Sequence, residues 1–180
     1  MVTRLVLPWV GTVDEDFAAF WHRYRARLHR LAGAYARSAE DRADLLQDIS
    51  VALWTARDSF RAECTEQTFV YRVAHNVAIK HSLKRRLPLA HEGAQERLVS
   101  AEPGPDEVLS AQDRAARLQE AVRALPLGER EVAVLALEGL GNSEIAAITG
   151  LRENHVGVRL FRAKEKLKAA MAASTQGVRR

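Results

Sequence analysis

Cysteine is nearly missing from this sequence, because Cys64 is the only one among 180 residues. A single thiol excludes an internal disulfide and a cysteine-rich zinc site, and it suits a reducing compartment. His22 and His29 share one face of a predicted helix, but no Cys pair or Glu stands near them at ligand spacing. We therefore expect no metal, no other cofactor and a cytoplasmic location.

Long apolar runs are missing as well. No stretch approaches the roughly 18 consecutive apolar residues of a membrane-spanning helix, so we expect no membrane insertion. Residues 1–13 are mildly apolar, but they contain Pro8 and lack the layout of a signal peptide. We interpret them as an N-terminal extension that precedes the first domain.

Proline and glycine are scarce, with 5 and 10 residues, whereas Ala, Leu, Arg and Glu dominate. This composition predicts a mostly helical chain. The net charge of +4 and the pI of about 9.6 favour a polyanionic partner.

We do not expect an enzyme, because Asp44 and Asp48 lack catalytic companions and no nucleophile triad or phosphate-binding loop is found.

Apolar periodicity divides the chain into two blocks. Residues 14–87 contain three amphipathic segments with helical spacing, and residues 111–173 contain further, mostly shorter ones. Between them, residues 88–110 have no lasting apolar period and are rich in Pro, Gly and acid, which is typical of a linker. Residues 174–180 are read as a basic tail. We predict an all-α fold of two small helical domains joined by a flexible linker.

The end of the second block has the pattern of a helix-turn-helix. Ile145 and Ile148 form the apolar side of a short helix, and Gly150 is suited to end it in a left-handed conformation. An apolar stripe with helical spacing follows, formed by Val156, Leu160, Ala163, Leu167 and Ala170. A basic face accompanies it, formed by Arg152, His155, Arg159, Arg162 and Lys166. A plain helical hairpin with a solvated basic face is the alternative, but eight Arg and Lys against two Glu in residues 150–180 favour DNA binding.

Charges in the first block are segregated by sign. The second helix carries four acids within nine residues, namely Glu40, Asp41, Asp44 and Asp48. Residues 67–91, which include the third helix, contain no acid but five Arg or Lys and three His. The two helices form either a salt-bridged bundle surface or two faces for two partners. In the second case, the acidic face would meet a protein and the basic face a nucleic acid.

Three stretches of the sequence resemble the extracytoplasmic-function group of bacterial sigma factors. They are DLLQDISVALWTARDSF (44–60), TFVYRVAHNVAIKHSLKRR (68–86) and LQEAVRALPLGEREVAVLALEGLGNSEIAAITGLRENHVGVRLFRAKEKL (118–167). The resemblance implies a promoter-specificity subunit that initiates transcription of a specific regulon and is held inactive by an anti-sigma factor. Its first domain, residues 14–87, would bind the clamp of core RNA polymerase and read the −10 element. Its second, residues 111–173, would read the −35 element of promoter DNA and contact the polymerase flap.

The resemblance also implies roles for individual residues. Binding of core polymerase falls to Asp44, Leu45, Gln47, Asp48 and Trp54. Recognition of the −10 element falls to Arg72, Asn76, Lys80, Lys84 and Arg85. Recognition of the −35 element falls to Arg152, Glu153, Asn154, His155, Arg159 and Arg162. Side chains at the start of the recognition helix usually reach base edges, whereas Arg159 and Arg162, further along, are better placed for phosphates.

The sequence departs from the family pattern at several positions. Phe69 stands where Trp is usual, and Ala43 stands where an acid is usual. Arg152 stands where a small or hydroxyl residue is usual. Asn154-His155 stands where a Gly-Thr pair is usual, and Gly157-Val158 stands where a Lys-Ser pair is usual. These replacements imply that the −35 sequence read by this chain is unusual. Phe69 and Tyr71 would either stack on single-stranded bases or pack inside the domain.

Two other functions fit parts of the pattern. A stand-alone helix-turn-helix regulator would use the same recognition helix, with the first block serving for ligand binding or dimerisation. A sigma-like decoy would keep the acidic face and lose the DNA contacts.

Overall fold

Seven α-helices and one short 3₁₀ helix make up the residues that this computed structural model describes, 13–86 and 111–176. The α-helices are α1 (Val13–Tyr35), α2 (Ala39–Ala56), α3 (Glu66–Arg86), α4 (Ala111–Ala124), α5 (Leu127–Leu137), α6 (Asn142–Thr149) and α7 (Glu153–Gln176), and the 3₁₀ helix is Arg57–Ser59. These ranges contain no strand, and the predicted all-α fold is confirmed. The predicted linker, 88–110, lies outside the described residues, as do residues 1–12 of the predicted extension and 177–180 of the predicted tail.

Helices α1, α2 and α3 form the first domain around an apolar core. Its buried members are Phe20, Tyr24, Leu28, Leu31, Leu45, Ile49, Leu53, Val70, Tyr71 and Ala74. Helix α2 begins where the Ser38 hydroxyl accepts the Asp41 N–H at 3.1 Å, the usual arrangement of an N-cap. The three buried apolar residues of α2, Leu45, Ile49 and Leu53, recur at four-residue spacing, so the opposite side of this helix is left for polar residues.

Helices α4 to α7 form the second domain, and the predicted helix-turn-helix is found in α6 and α7. Ile145 and Val156 are fully buried where these two helices and α5 meet. Gly150 ends α6 with a φ of +74°, and its N–H donates to the Ala146 carbonyl at 2.9 Å. Glycine adopts this left-handed conformation at little cost, which is why the chain can turn sharply here into α7.

The two domains pack directly against each other. Helix α1 contacts α4 and α5 of the second domain, and α3 contacts α6. Most of the buried apolar residues of both domains form one connected cluster, which includes Leu28 and Val122. In the described part of the chain, no helix combines the length and the apolar character needed to cross a membrane.

Candidate polymerase-binding and nucleic-acid interfaces

The acidic face of α2, which we define as Asp44, Gln47 and Asp48, is exposed to solvent. It lies opposite the buried Ile49 and Leu53, as the apolar period predicts. Neither Asp44 nor Asp48 forms an ion pair with any residue that the structure describes. The bundle interpretation, in which these acids pair with the basic third helix, is therefore not what the structure shows for these two acids.

Two other members of the predicted polymerase site are not freely exposed. Leu45 is completely buried in the core of the first domain, so its side chain does not reach the surface to which we assigned it. Trp54 is half-buried, since Phe17 packs edge-on against its ring at 4.9 Å and the Arg57 guanidinium stacks over it at 3.7 Å. Both side chains hold α2 in place rather than standing out from it.

Val51 belongs to the same surface, although the sequence analysis did not include it. Its side chain is 58% exposed, and it follows Gln47 by four residues and Asp48 by three. An apolar residue beside exposed charges is a common feature of a protein-binding surface. The signal was present in the sequence as a valine at helical spacing on the polar side of α2.

Asp41 is not part of the acidic face, even though it stands in the same cluster of four acids. Its side chain is buried, and Oδ1 lies 2.7 Å from His81 Nε2 on α3. Its other oxygen accepts the Arg37 N–H at 2.7 Å. Asp41 therefore joins the start of α2 to α3, and it is the one acid of the cluster that pairs with the basic helix in the described structure.

A basic stripe runs along the outer side of α3. Its members Arg72, Asn76, Lys80 and Lys84 are all exposed and follow one another at four-residue spacing. The side chain of Arg85, the fifth predicted member, lies outside the described residues. Leu83, which the sequence analysis missed, is 48% exposed at seven residues from Asn76 and therefore on the same side. The stripe offers positive charge, an amide and one apolar side chain to a bound strand.

Phe69 and Tyr71 do not serve as stacking surfaces in this structure. Phe69 is buried against Phe60, with ring centroids 5.0 Å apart. Tyr71 is completely buried, and its hydroxyl donates to Glu138 Oε2 at 3.0 Å. Burial and the neighbouring Glu138 carboxylate raise the pKa of Tyr71 above its ordinary value. Of the two interpretations offered above, packing inside the protein is the one that the structure shows for both rings.

The recognition helix, α7, presents its first turn to solvent. Glu153, Asn154 and His155 are exposed, as are Arg152 just before the helix and Arg162 further along. The inner side of the same helix is anchored by two completely buried residues, Val156 and Ala163. The turn that would enter a DNA groove is thus supported from behind and open in front.

Arg159 differs from the other predicted residues of the −35 group. Its Nη1 donates to Glu131 Oε1 on α5 at 2.6 Å, and it also lies 3.4 Å from the Gly128 carbonyl oxygen. Glu131 is half-buried, and burial raises the pKa of its carboxyl although Arg159 acts in the opposite direction. In this structure, Arg159 joins α7 to the helix behind it instead of extending toward a phosphate.

The exposed side of α7 also carries two apolar residues. Val158 is 51% exposed and Phe161 is 67% exposed, and they follow Asn154 by four and seven residues. The three side chains therefore form one outward row. Apolar side chains in such a row can contact the methyl group of thymine. Val158 was considered above only as part of the Gly157-Val158 pair that replaces Lys-Ser, and Phe161 was assigned no role.

Comparison with known proteins identifies the family. The sigma-70 region 2 family model matches residues 20–87, and the sigma-70 region 4 model matches residues 115–167. The ECF RNA polymerase sigma factor SigD of Mycobacterium tuberculosis is 31% identical over 154 residues, which are 83% of this chain and 70% of SigD. The RNA polymerase sigma factor CnrH of Cupriavidus metallidurans is 29% identical over 172 residues, 91% of this chain and 90% of CnrH.

Solved structures of similar proteins have the same fold. CnrH in complex with the cytosolic domain of CnrY superposes with a TM-score of 0.63 at 26% identity, covering 89% of this chain and 90% of that one. The sigma factor RpoE, solved in complex with the anti-sigma factor NepR from Bartonella quintana, superposes with a TM-score of 0.71 at 22% identity, covering 88% and 98%. This chain belongs to the extracytoplasmic-function group of RNA polymerase sigma factors.

Proposed function

We propose that this sigma factor binds the clamp of core RNA polymerase through the acidic face of α2. The observation that carries the proposal is that Asp44 and Asp48 are exposed and form no ion pair among the described residues. Carboxylates without internal partners are available for a cationic surface, and they would both accelerate association and fix its orientation. Val51 would add an apolar contact at the edge of the same surface.

The −10 element would be bound by the basic stripe of α3. Arg72, Lys80 and Lys84 would attract the phosphates, and Asn76 would supply donors and an acceptor to a base. Because Phe69 and Tyr71 are buried, this binding would rely on charge and hydrogen bonds more than on stacking. Melted DNA is flexible, so a groove or stripe of positive charge is a usual way to hold it.

The −35 element would be read by the start of α7. Arg152, Asn154 and His155 would meet base edges in the major groove, and Arg162 would contact a phosphate. Glu153 would stand beside them at the helix N-terminus. Arg159 would act from behind, by keeping α7 in position against Glu131.

An anti-sigma factor is the expected regulatory partner. This part of the proposal rests on CnrH, which was solved in complex with the cytosolic domain of CnrY and is 26% identical to this chain over most of its length.

The sigma factor would act by binding polymerase and promoter DNA rather than by catalysis, and it would do so in the cytoplasm, where both are found. The gene set that it controls would follow from the −35 and −10 sequences that it reads.

Charge reversal of the acidic face tests the proposal. The double variant Asp44→Lys/Asp48→Lys should melt like the wild type, since both side chains are exposed. It should lose co-elution with core polymerase, because close contact between like charges costs several kcal/mol. The matched control is Glu63→Lys, compared with Asp48→Lys alone, which reverses one charge at an exposed position of the same domain. A reversed variant that still forms holoenzyme would exclude the acidic face as the polymerase-binding surface.

The stand-alone regulator is separated from the sigma factor by a second measurement. A sigma factor with two small DNA-reading surfaces should bind duplex promoter DNA weakly until polymerase fixes the surfaces on the promoter. Nanomolar binding of duplex DNA by the isolated protein at physiological salt would favour the regulator instead.

A further inference from the structure

Helix α1 carries positive charge that none of the surfaces described above uses. Residues 17–39, most of α1 and the turn after it, contain five arginines and two histidines but no acid. Two of these arginines pair with acids of other helices or loops. Arg23 pairs with Glu66 at 3.0 Å. Arg30 pairs with Glu138 at 2.8 Å. The other basic residues of α1 are left on its outer surface.

Three of the remaining residues form one line along α1. His22, Arg25 and His29 are all exposed, and they follow one another at spacings of three and four residues. This spacing keeps them on one side of the helix over a length of about 10 Å. None of the three forms an ion pair with any residue that the structure describes. Arg25 therefore carries a charge that no acid compensates there, with an imidazole on either side of it.

Arg42 in the first turns of α2 extends this line. A Cβ added to Gly33, four residues after His29, would lie 3.5 Å from Cδ of Arg42. Partial burial and the positive charges of Arg42 and Arg25 lower the pKa of His29 below its ordinary value. A nearby acid would act in the opposite direction, and in the described structure the charges that act on His29 are both positive. We refer to His22, Arg25, His29 and Arg42 as the basic edge, because they lie where α1 and α2 meet.

The surroundings of the basic edge favour a nucleic acid over an acidic protein as its partner. The exposed residues beside it on α1 include three alanines, Ala18, Ala19 and Ala26. None of the large apolar side chains that are exposed in the described structure lies on α1. A protein-binding surface usually has an apolar or aromatic centre, whereas a DNA-binding surface is polar and strongly positive. Small side chains between the cations also let a phosphate backbone approach closely.

The dimensions of the basic edge fit a DNA backbone as well. One strand of duplex DNA presents a phosphate about every 3.4 Å along the helix axis, so a line of about 10 Å can meet roughly two or three of them. Arginine guanidinium groups neutralise phosphates, and imidazole N–H groups donate hydrogen bonds to them. Contacts to phosphates fix the position of a protein on DNA but carry no base sequence information directly.

We propose that the basic edge binds the phosphate backbone of duplex DNA flanking the −10 element and is a third DNA-contacting surface of this sigma factor. It is separate from the basic stripe, because its members belong to α1 and α2 and those of the stripe belong to α3. The contact raises the affinity for every promoter by the same factor, since phosphates are common to all sequences. This inference goes beyond the proposed function and shares with it only the binding of promoter DNA by the holoenzyme.

Replacing Arg25 tests the proposal. Holoenzyme that contains Arg25→Gln should bind promoter DNA about fivefold more weakly at about 0.1 M salt and should lose roughly one unit of salt slope. Promoters with strong and weak −10 elements should be weakened by the same factor. Arg25→Lys keeps the charge and should restore most of the affinity. If Arg25→Lys bound as weakly as Arg25→Gln, the charge would not be the cause and the proposal would be overturned.

Arg27→Gln is the matched control. Arg27 is exposed on the same helix and forms no ion pair with the residues that the structure describes. It stands two residues after Arg25, which in an α-helix places it on a different side. This variant should keep the affinity and the salt slope of the wild type, and the melting temperature of all three variants should be unchanged. An equal loss of salt slope in Arg27→Gln would overturn the proposal, because net charge alone would then explain the effect.

Uncharged methylphosphonate linkages locate the contact on the DNA. One promoter carries a block of them in the duplex upstream of the −10 element, and a second promoter carries the block downstream. At one of the two blocks, wild-type holoenzyme should lose about fivefold more affinity than Arg25→Gln, because the variant has already lost the interaction with those phosphates. Equal losses in wild type and variant at both blocks would overturn a contact with the flanking duplex.

Two comparisons separate this inference from other roles. If Arg25→Gln impaired co-elution with core polymerase and left the salt slope of the holoenzyme unchanged, the basic edge would bind an acidic protein surface and the DNA contact would be overturned. Lys80→Gln, on the basic stripe, distinguishes the inference from the proposed function. A loss of salt slope in Lys80→Gln but not in Arg25→Gln would overturn the basic edge alone. The reverse result would contradict the assignment of the −10 element to the stripe and leave the basic edge in place.

Discussion

Arg159 on the recognition helix and Glu131 on α5 form an ion pair with an N–O distance of 2.6 Å. The pair lies on the inner side of α7, near the completely buried Val156 and Ala163. Arg162, three residues further along, is exposed and makes no ion pair with the residues that the structure describes. Two arginines that look equivalent in the sequence therefore differ in what they do.

Replacing each of these arginines should affect a different property. Arg159→Ala should lower the free energy of unfolding by about 2 kcal/mol, because it leaves the half-buried Glu131 without its partner. Arg162→Ala should leave stability unchanged and reduce the salt dependence of promoter binding by roughly one unit of slope. Thermal melting and binding by the holoenzyme at several salt concentrations measure the two effects. If Arg159→Ala instead reduced the salt dependence of promoter binding and left stability unchanged, Arg159 would have to leave Glu131 when DNA binds.

Changing Asn154 and His155 together should alter the preferred −35 sequence without affecting polymerase binding. Both side chains are exposed at the start of α7, and a good base contact discriminates by about 1–3 kcal/mol. A library of −35 sequences transcribed by the wild type and by Asn154→Ala/His155→Ala would reveal the change in ranking. If the ranking of promoters stayed the same, base recognition would have to come from elsewhere on the helix.

The outward row of Val158 and Phe161 predicts sensitivity to thymine methyl groups. Replacing thymine by uracil in the −35 element removes only the methyl group, and it should weaken binding by up to about 1 kcal/mol at each contacted position. Val158→Ser and Phe161→Ala should each abolish the difference at one position. Glu165→Gln, an exposed change on the same helix, should preserve the full effect and serves as the control. Equal binding of thymine and uracil DNA by the wild type would exclude such contacts.

Acid should destabilise the protein through His75. Burial lowers the pKa of His75 to about 4, from 6.5 in the unfolded chain, so the folded protein keeps the imidazole neutral. The stability due to this group is complete above about pH 6.5 and is lost as pH falls toward 4, by an amount on the order of 2–3 kcal/mol. His75→Gln should flatten the decline of the melting temperature over this range.

Glu131 is the acidic group that faces His75, with its Oε2 3.7 Å from His75 Nε2. Because burial raises the pKa of Glu131, its own contribution to stability changes with pH in the opposite direction. Glu131 is present in both proteins, so the difference between the two melting curves isolates His75. Parallel curves from pH 7 to pH 4 would contradict a buried neutral imidazole.

Local pattern was enough to predict much of this fold. The four-residue spacing of Leu45, Ile49 and Leu53 indicates which side of α2 is buried, because an α-helix returns to the same side every 3.6 residues, although the family resemblance had placed Leu45 on the polymerase-binding surface. Gly150 predicted the end of α6, because few other residues adopt a positive φ easily. In both cases the physical cause acts within one or two helical turns, and it is therefore visible in a short stretch of sequence.

Contacts between distant residues could not be predicted in the same way. Asp41 was grouped with the exposed acids, but its partner His81 stands 40 residues away. Tyr71 was considered for base stacking, but Glu138, 67 residues away, accepts its hydroxyl. A count of charges or aromatic rings along the chain does not contain the packing that brings such pairs together. For the same reason, the sequence does not reveal how the two domains pack against each other.

The recognition helix is built so that its reading side and its anchoring side are independent. Its anchors, Val156, Ala163 and Arg159, all face the other helices of the second domain. The candidate DNA-contacting residues stand on the other side of α7. Five outward positions, 154, 155, 158, 161 and 162, could therefore be exchanged as a cassette without disturbing the core. Evolution, or an engineer, could in this way redirect the protein to a new set of genes while keeping its polymerase partner and its fold.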